Sequence, residues 1–161
     1  MLAVIDGLGH GPEAAVASRA AAATLRADSA ATPDVLLARC HAQLRSTRGA
    51  AMSVVALHDG RLDWCGIGNV EALLLGSAPA VRESIVLRGG IVGGQMPPLH
   101  TTSHPVRSGD LIVMVTDGIA ACFADSLSLH GSTRSLAEQI LARFQRGTDD
   151  ALVLVARVVQ G

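Results

Sequence analysis

At 161 residues and a formal net charge of -1, the chain is sized for one domain over residues 1–161 and offers no basic face that could neutralise nucleic-acid phosphates. Hydrophobic residues make up 49% and charged residues 17%, which excludes a disordered chain; with aromatics at 2%, the core must be built from Val, Leu, Ile and Ala. All 13 cationic residues are Arg, and they are scattered rather than clustered. No apolar run approaches the roughly 20 residues that span a bilayer and no signal peptide opens the chain, so a cytoplasmic protein without a membrane partner is expected. Cys40, Cys65 and Cys122 show no CxxC spacing, so they are read as buried inert thiols rather than disulfides or zinc ligands.

Leu2 to Ile5 is a short apolar strand that runs directly into Asp6-Gly7-Leu8-Gly9-His10. A strand that opens a chain normally has pairing partners upstream, so one or more preceding strands are expected to be missing. Pro12 suits a first helical position and Glu13 the positive end of a helix dipole, and the Ala-rich run to Ala27 predicts a first helix. Thr32, Pro33 and Asp34 mark the start of a second, with Val35, Leu36, Cys40 and Leu44 at helical spacing and Gly49 closing it.

From Met52 the period becomes that of strands. Met52–Leu57 and Leu62–Ile67 flank the hairpin signal Asp59-Gly60; after a bend at Gly68-Asn69 come Ala72–Leu75, a turn over Ser77–Pro79 and Glu83–Leu87. Together these predict one antiparallel meander of four strands. Gly89 to Pro98 is an irregular glycine- and proline-rich loop, and His100 and His104 beyond it are read as surface loop residues. Ser108-Gly109-Asp110 is a turn into Leu111–Val115, a fully buried strand ending on Thr116-Asp117-Gly118. Leu136, Ile140, Leu141 and Phe144 predict a helix capped at Ser132/Thr133 and stopped at Gly147; Thr148-Asp149-Asp150 then opens a buried strand over Ala151–Val159.

Three acidic points therefore sit at strand ends. Asp6 and Asp117 follow their strands, whereas Asp149 precedes its own. For the three to converge, the last strand must run antiparallel to the other two, which favours stacked antiparallel sheets with outer helices over a doubly wound parallel sheet. Converging carboxylates repel one another unless a cation neutralises them, and Mg²⁺ or Mn²⁺ prefers such oxygen ligands. Two such ions would clamp a phosphoryl group and acidify a bridging water. A nucleotide-binding loop at Gly7-x-Gly9 fails, because the third glycine of the fingerprint is replaced by Pro12.

The stretch Ile5-Asp6-Gly7-Leu8-Gly9-His10-Gly11-Pro12-Glu13-Ala14-Ala15, the Gly109-Asp110 turn, Thr116-Asp117-Gly118-Ile119 and Asp149-Asp150-Ala151 together resemble the metal-dependent serine/threonine protein phosphatase (PPM) family, closest to its bacterial SpoIIE-like and RsbX-like branch. Gly66-x-Gly68-Asn69 and Gly93-x-Gln95-x-Pro97 fit the same branch. The resemblance implies an α+β fold, an α-β-β-α sandwich of two mostly antiparallel sheets with outer helices. It implies two Mn²⁺ or Mg²⁺ ions held by the Asp6 carboxylate, the Gly7 carbonyl, Asp117 and Asp149, with Asp150 the weaker alternative to Asp149. The implied reaction is hydrolysis of phosphoserine or phosphothreonine, by a water bridging the two metals, on a regulatory protein of a stress-response or sigma-factor switch such as a STAS-domain or stressosome component.

Within that reading His10 is a candidate proton donor to the leaving serine oxygen, with loop shaping as its plainer role. Asn69 and Gln95 are read as turn-capping residues near the site, and Trp64 as core or sheet-edge packing. The alternative to an enzyme is a degenerate phosphatase fold that binds a phosphorylated partner without turnover.

Overall fold

The computed structural model describes residues 1–76, 82–84, 88–126, 130–147 and 149–159. The elements run β1 (Leu2–Gly7), α1 (Pro12–Ala27), α2 (Pro33–Leu44), β2 (Ala50–His58), β3 (Arg61–Ile67), β4 (Glu71–Leu75), β5 (Arg82–Ser84), β6 (Thr102–Pro105), β7 (Leu111–Val115), a 3-10 turn at Ala121–Ser126, α3 (Thr133–Phe144) and β8 (Val153–Arg157). The fold is α+β with two antiparallel four-stranded sheets, in the orders β1-β2-β3-β6 and β5-β4-β7-β8. Contacts divide the chain into two compact units, Met1–Val70 with Leu87–Pro105 and Glu71–Val86 with Val106–Gly161. Among the described residues no helix is long and apolar enough to cross a membrane.

In the first unit, α1 begins with Pro12 at its first position and buries Ala14, Ala17, Ala21 and Leu25, a stripe at helical spacing whose small side chains let the helix lie close to its sheet. The α2 helix buries Leu36, Leu37, Cys40 and Leu44, and these join Met52, Val54, Cys65 and Ile67 of β2 and β3 in one apolar cluster. Asp59 (φ 48°) and Gly60 (φ 73°) both take positive φ, the two-residue turn that the Asp-Gly pair signalled. Trp64 is 2% exposed, in keeping with a packing role.

In the second unit, all five residues of β7 are buried, as expected of its unbroken apolar run. Leu111, Val113 and Val115 pack with Leu73, Leu75, Ile119, Phe123, Leu136 and Ile140. The Ser132 side chain caps α3 by accepting from the Ser135 N–H at 3.1 Å. The last strand runs antiparallel to β7, as convergence of the acidic points would require.

Several expectations are corrected. Met52–Leu57, Leu62–Ile67, Ala72–Leu75 and Glu83–Leu87 do not form one meander: β2 and β3 belong to one sheet, β4 and β5 to the other. The break is the Gly68 bend (φ 99°), where the Gly68 N–H donates to the Arg88 carbonyl at 2.8 Å instead of continuing the ladder. The segment containing His104 is not a loop but β6, paired with Arg61–Trp64, while His100 is exposed as expected. The final strand is half-buried rather than buried, because β8 lies at the edge of its sheet. Cys122 is exposed, unlike Cys40 and Cys65. The α2 helix ends at Leu44, five residues before Gly49; that glycine (φ 81°) serves a close approach, since a Cβ there would lie 2.5 Å from Ile91 Cγ2. The turn over 77–79, residues 85–87 and Thr148 lie outside the described residues.

Candidate active site

Asp6 is half-buried near the end of β1, opposite Ala51, and Gly7 is opposite Ala50. A Cβ on Gly7 would sit 2.2 Å from the Ala14 carbonyl oxygen and 2.7 Å from Ser18 Oγ, so only glycine lets α1 pack directly on this strand end. The chain then leaves the strand with the Leu8 N–H donating to the Gly49 carbonyl at 3.0 Å. Gly9 (φ 81°) and Gly11 (φ 82°) carry the loop into α1 through left-handed backbone, with exposed His10 between them. Glu13, in the first helical turn, pairs with Arg48.

The Gly89–Pro98 loop closes against this same strand end. Val92 and Ala50 exchange backbone hydrogen bonds of 2.9 and 3.0 Å, and the Gly93 N–H donates to His41 Nδ1 at 3.0 Å. Gln95 and Asn69 are exposed. The ring contact from His41 on α2 crosses 52 positions of sequence and carried no local signal.

In the second unit, Thr116 is buried and continues the β7–β8 ladder past its last paired residues. Its N–H donates to the Leu152 carbonyl at 3.2 Å, and its Oγ1 accepts from the Leu152 N–H at 3.0 Å. Asp117 follows at once and is exposed. The Gly118 carbonyl accepts from the Arg146 N–H at 2.9 Å, and the Ile119 N–H closes the turn onto Thr116 at 3.1 Å. A Cβ on Gly118 would lie 2.3 Å from the Asp150 carbonyl oxygen, so the turn bearing Asp117 is pressed against the segment bearing Asp149 and Asp150. Both of those carboxylates are exposed, and Asp149 Oδ1 accepts from the Asp150 N–H at 2.8 Å. Asp110 begins the same β7 strand at its opposite end, where its Oδ2 accepts from the Arg107 N–H at 2.8 Å; it shapes a turn remote from Asp117.

The structure thus joins Asp117 to Asp149 and Asp150 within the second unit, and Asp6, Gly7 and His10 within the first. Among the described residues no group of three or more His, Cys, Asp or Glu is arranged to hold a metal ion. The donor chemistry nevertheless suits Mg²⁺ or Mn²⁺: the Asp117–Asp150 corner offers exposed carboxylate oxygens from two adjoining segments, with no thiolate or imidazole among them. Two features escaped sequence reading. Thr116 serves as a side-chain rung of the ladder, and Gly118 is needed for lack of space rather than for backbone conformation.

Residues 1–159 match the Stage II sporulation protein E (SpoIIE) family. No curated protein sequence matches the chain significantly. A chain solved in work on the bacterial stressosome, as a modular system adapted to control secondary messenger signalling, is similar at TM-score 0.83 and 30% identity, with 96% of this chain and 83% of that chain covered. RsbX in complex with magnesium is similar at TM-score 0.84 and 21% identity, over 95% of this chain and 77% of that chain. The Mycobacterium tuberculosis serine/threonine phosphatase PstP/Ppp is similar at TM-score 0.76 and 18% identity, over 98% of this chain and 88% of that chain. With a family match over nearly its whole length, the chain belongs to the Stage II sporulation protein E (SpoIIE) family, and it has the fold shared by RsbX and the serine/threonine phosphatase PstP/Ppp.

Proposed function

We propose that residues 1–161 act as one phosphatase domain that hydrolyses phosphoserine or phosphothreonine on a bacterial regulatory protein in a divalent-metal-dependent reaction. The observation that carries this reading is the Thr116-Asp117-Gly118 turn fixed against Asp149-Asp150, two carboxylate-bearing segments held together by packing that tolerates no side chain at Gly118. Asp6, the Gly7 carbonyl, Asp117 and Asp149 would hold two Mn²⁺ or Mg²⁺ ions, with Asp150 the alternative to Asp149. When bound, such ions neutralise the carboxylates, polarise a phosphoryl oxygen and lower the pKa of water.

The chain's own groups do the positioning. The Gly7 contact with α1 fixes the direction in which β1 delivers Asp6, and the Thr116 rung sets where Asp117 leaves the sheet. His10, exposed on the glycine loop, would supply a proton to the departing serine or threonine oxygen. Likeness to a stressosome chain and to RsbX supports a phosphorylated switch protein of the STAS-domain or stressosome type as the partner, and a cytoplasmic setting.

The test is Mn²⁺-dependent phosphate release from p-nitrophenyl phosphate by the wild type, Asp6→Asn and Asp117→Asn. Each variant should lose at least the 10- to 100-fold that even outer-shell partners of a metal site cost. Full activity in both variants would overturn the assigned site.

A further inference from the structure

The Gly89–Pro97 loop of the first unit borders a half-open cavity of about 500 Å³ lined by Gly89, Gly90, Ile91, Gln95, Met96 and Pro97. That volume falls among those of specific ligand sites. Its lining side chains are aliphatic or thioether except for the Gln95 amide, and none is charged. A charged guest would find no ion partner among them.

The walls are preformed. Gly90 packs so closely that a Cβ would meet Pro97 Cδ at 2.6 Å, the Ile91 N–H donates to the Gln95 carbonyl at 2.8 Å, and the Gly94 N–H donates to the Ile91 carbonyl at 3.1 Å. Outside the cavity, His41 Nδ1 accepts from the Gly93 N–H and holds the loop to α2.

Its position relates it to Asp6. Val92 pairs with Ala50 through both backbone hydrogen bonds, and Ala50 is the register partner of Gly7. Two inter-strand steps of roughly 5 Å each therefore separate Val92 from the end of β1. The loop that lines the cavity lies at the end of the sheet where Asp6 stands: a Cβ on Gly68 would meet both Ala51, the register partner of Asp6, and the Gly90 carbonyl oxygen. An extended peptide covers a distance of that order in roughly three to five residues.

We propose that this cavity is a substrate subsite, which takes one uncharged aliphatic side chain lying roughly three to five residues from the phosphorylated serine or threonine. This rests on the phosphatase reading above. Ile91, Met96 and Pro97 supply the apolar contact, and Gln95 supplies the one side-chain amide of the lining.

A set of fluorescein-labelled phosphoserine peptides with an alanine background, carrying one Leu stepped along the positions on either side of the phosphoserine, tests it with the full chain and Mn²⁺. Binding is read by anisotropy and turnover by phosphate release. The expected result is a preference of about tenfold for Leu at one position within the stated range, the size that burying one Leu side chain supplies. Gly89→Trp should erase that preference; Gly89 has ordinary backbone φ and its Cβ would meet nothing within 4 Å, and an unchanged melting temperature checks that the variant stays folded.

Equal affinity for every Leu position would overturn the subsite, as would a preference that persists in Gly89→Trp. Positional preference in binding without phosphate release from any peptide would support the subsite and overturn the phosphatase reading. Release without preference would do the reverse.

Discussion

Gly118→Ala is the perturbation that most sharply tests how the acidic corner is built. The added Cβ would meet the Asp150 carbonyl oxygen at 2.3 Å, its carbonyl carbon at 2.9 Å and Ala151 Cα at 3.0 Å. All three are backbone atoms, so no side chain can rotate away, and the nearest contact is about 1 Å shorter than ordinary van der Waals contact. Overpacking of this kind costs about 1–3 kcal/mol, and a rigid backbone neighbour places the cost in the upper half of that range. For a chain of this size the melting temperature should fall by roughly 4–12 °C.

The functional effect should be larger. The turn and the Asp149-Asp150 segment must part by a good fraction of an ångström, which displaces Asp117 from its partners, and misplacement on that scale costs up to about 100-fold in rate. Circular-dichroism melting together with Mn²⁺-dependent p-nitrophenyl phosphate turnover reads both quantities. Gly89→Ala is the stability control, since its Cβ would meet nothing and its melting temperature should hold or rise slightly. A Gly118→Ala protein that melts within about 1 °C of wild type and keeps its turnover would refute the close-packed corner.

Thr116→Val should cost about 1 kcal/mol in chemical denaturation, because the Leu152 N–H loses its hydroxyl acceptor; Leu152 is 43% exposed, which keeps the cost near the low end for an unsatisfied donor. Thr116→Ser, which retains the acceptor, should recover most of that loss. The Ser103 hydroxyl and then His58 hold the Asp63 carboxyl below its usual 3.8. A folded value below the unfolded one adds stability above the unfolded pKa and loses it as pH falls through the folded value. Asp63→Asn should therefore be less stable than wild type at neutral pH, with the gap closing in titrations below pH 3.8; a gap independent of pH would contradict the assignment. Burial pushes the Cys40 thiol up to about 11 and raises that of Cys65, so iodoacetamide should label Cys122 alone in the folded protein and all three after denaturation.

What the sequence made legible was local chemistry. Pro12, Glu13 and the alanine run announce α1, Asp59-Gly60 announces its hairpin through the positive φ it can adopt, and Leu111–Val115 announces a strand with no wet face. Features that depend on a distant partner stayed hidden. Thr102–Pro105 carries two hydroxyl residues, a His and a Pro, and becomes a strand only because Arg61–Trp64 offers it an edge. The sheet change after β3 turns on a hydrogen bond from Gly68 to a carbonyl twenty residues onward. Gly7, Gly49 and Gly118 carry no sign of the packing that leaves no room for a Cβ: Gly7 meets the following helix, and Gly49 and Gly118 meet segments remote in sequence. For the candidate site, Asp117 and Asp149 could be named from strand-end position, whereas the packing that joins their segments could not.

The central claim is that Asp6, Asp117 and Asp149 hold divalent cations for phosphoester hydrolysis, and titration calorimetry of Mn²⁺ into the metal-free wild type, Asp6→Asn, Asp117→Asn and Asp149→Asn tests it most directly. The wild type should take up two ions, and each variant should lose at least one site or bind it at least 10- to 100-fold more weakly. A wild type that binds no Mn²⁺ at millimolar concentration, or three variants that bind it as tightly as the wild type, would contradict the account.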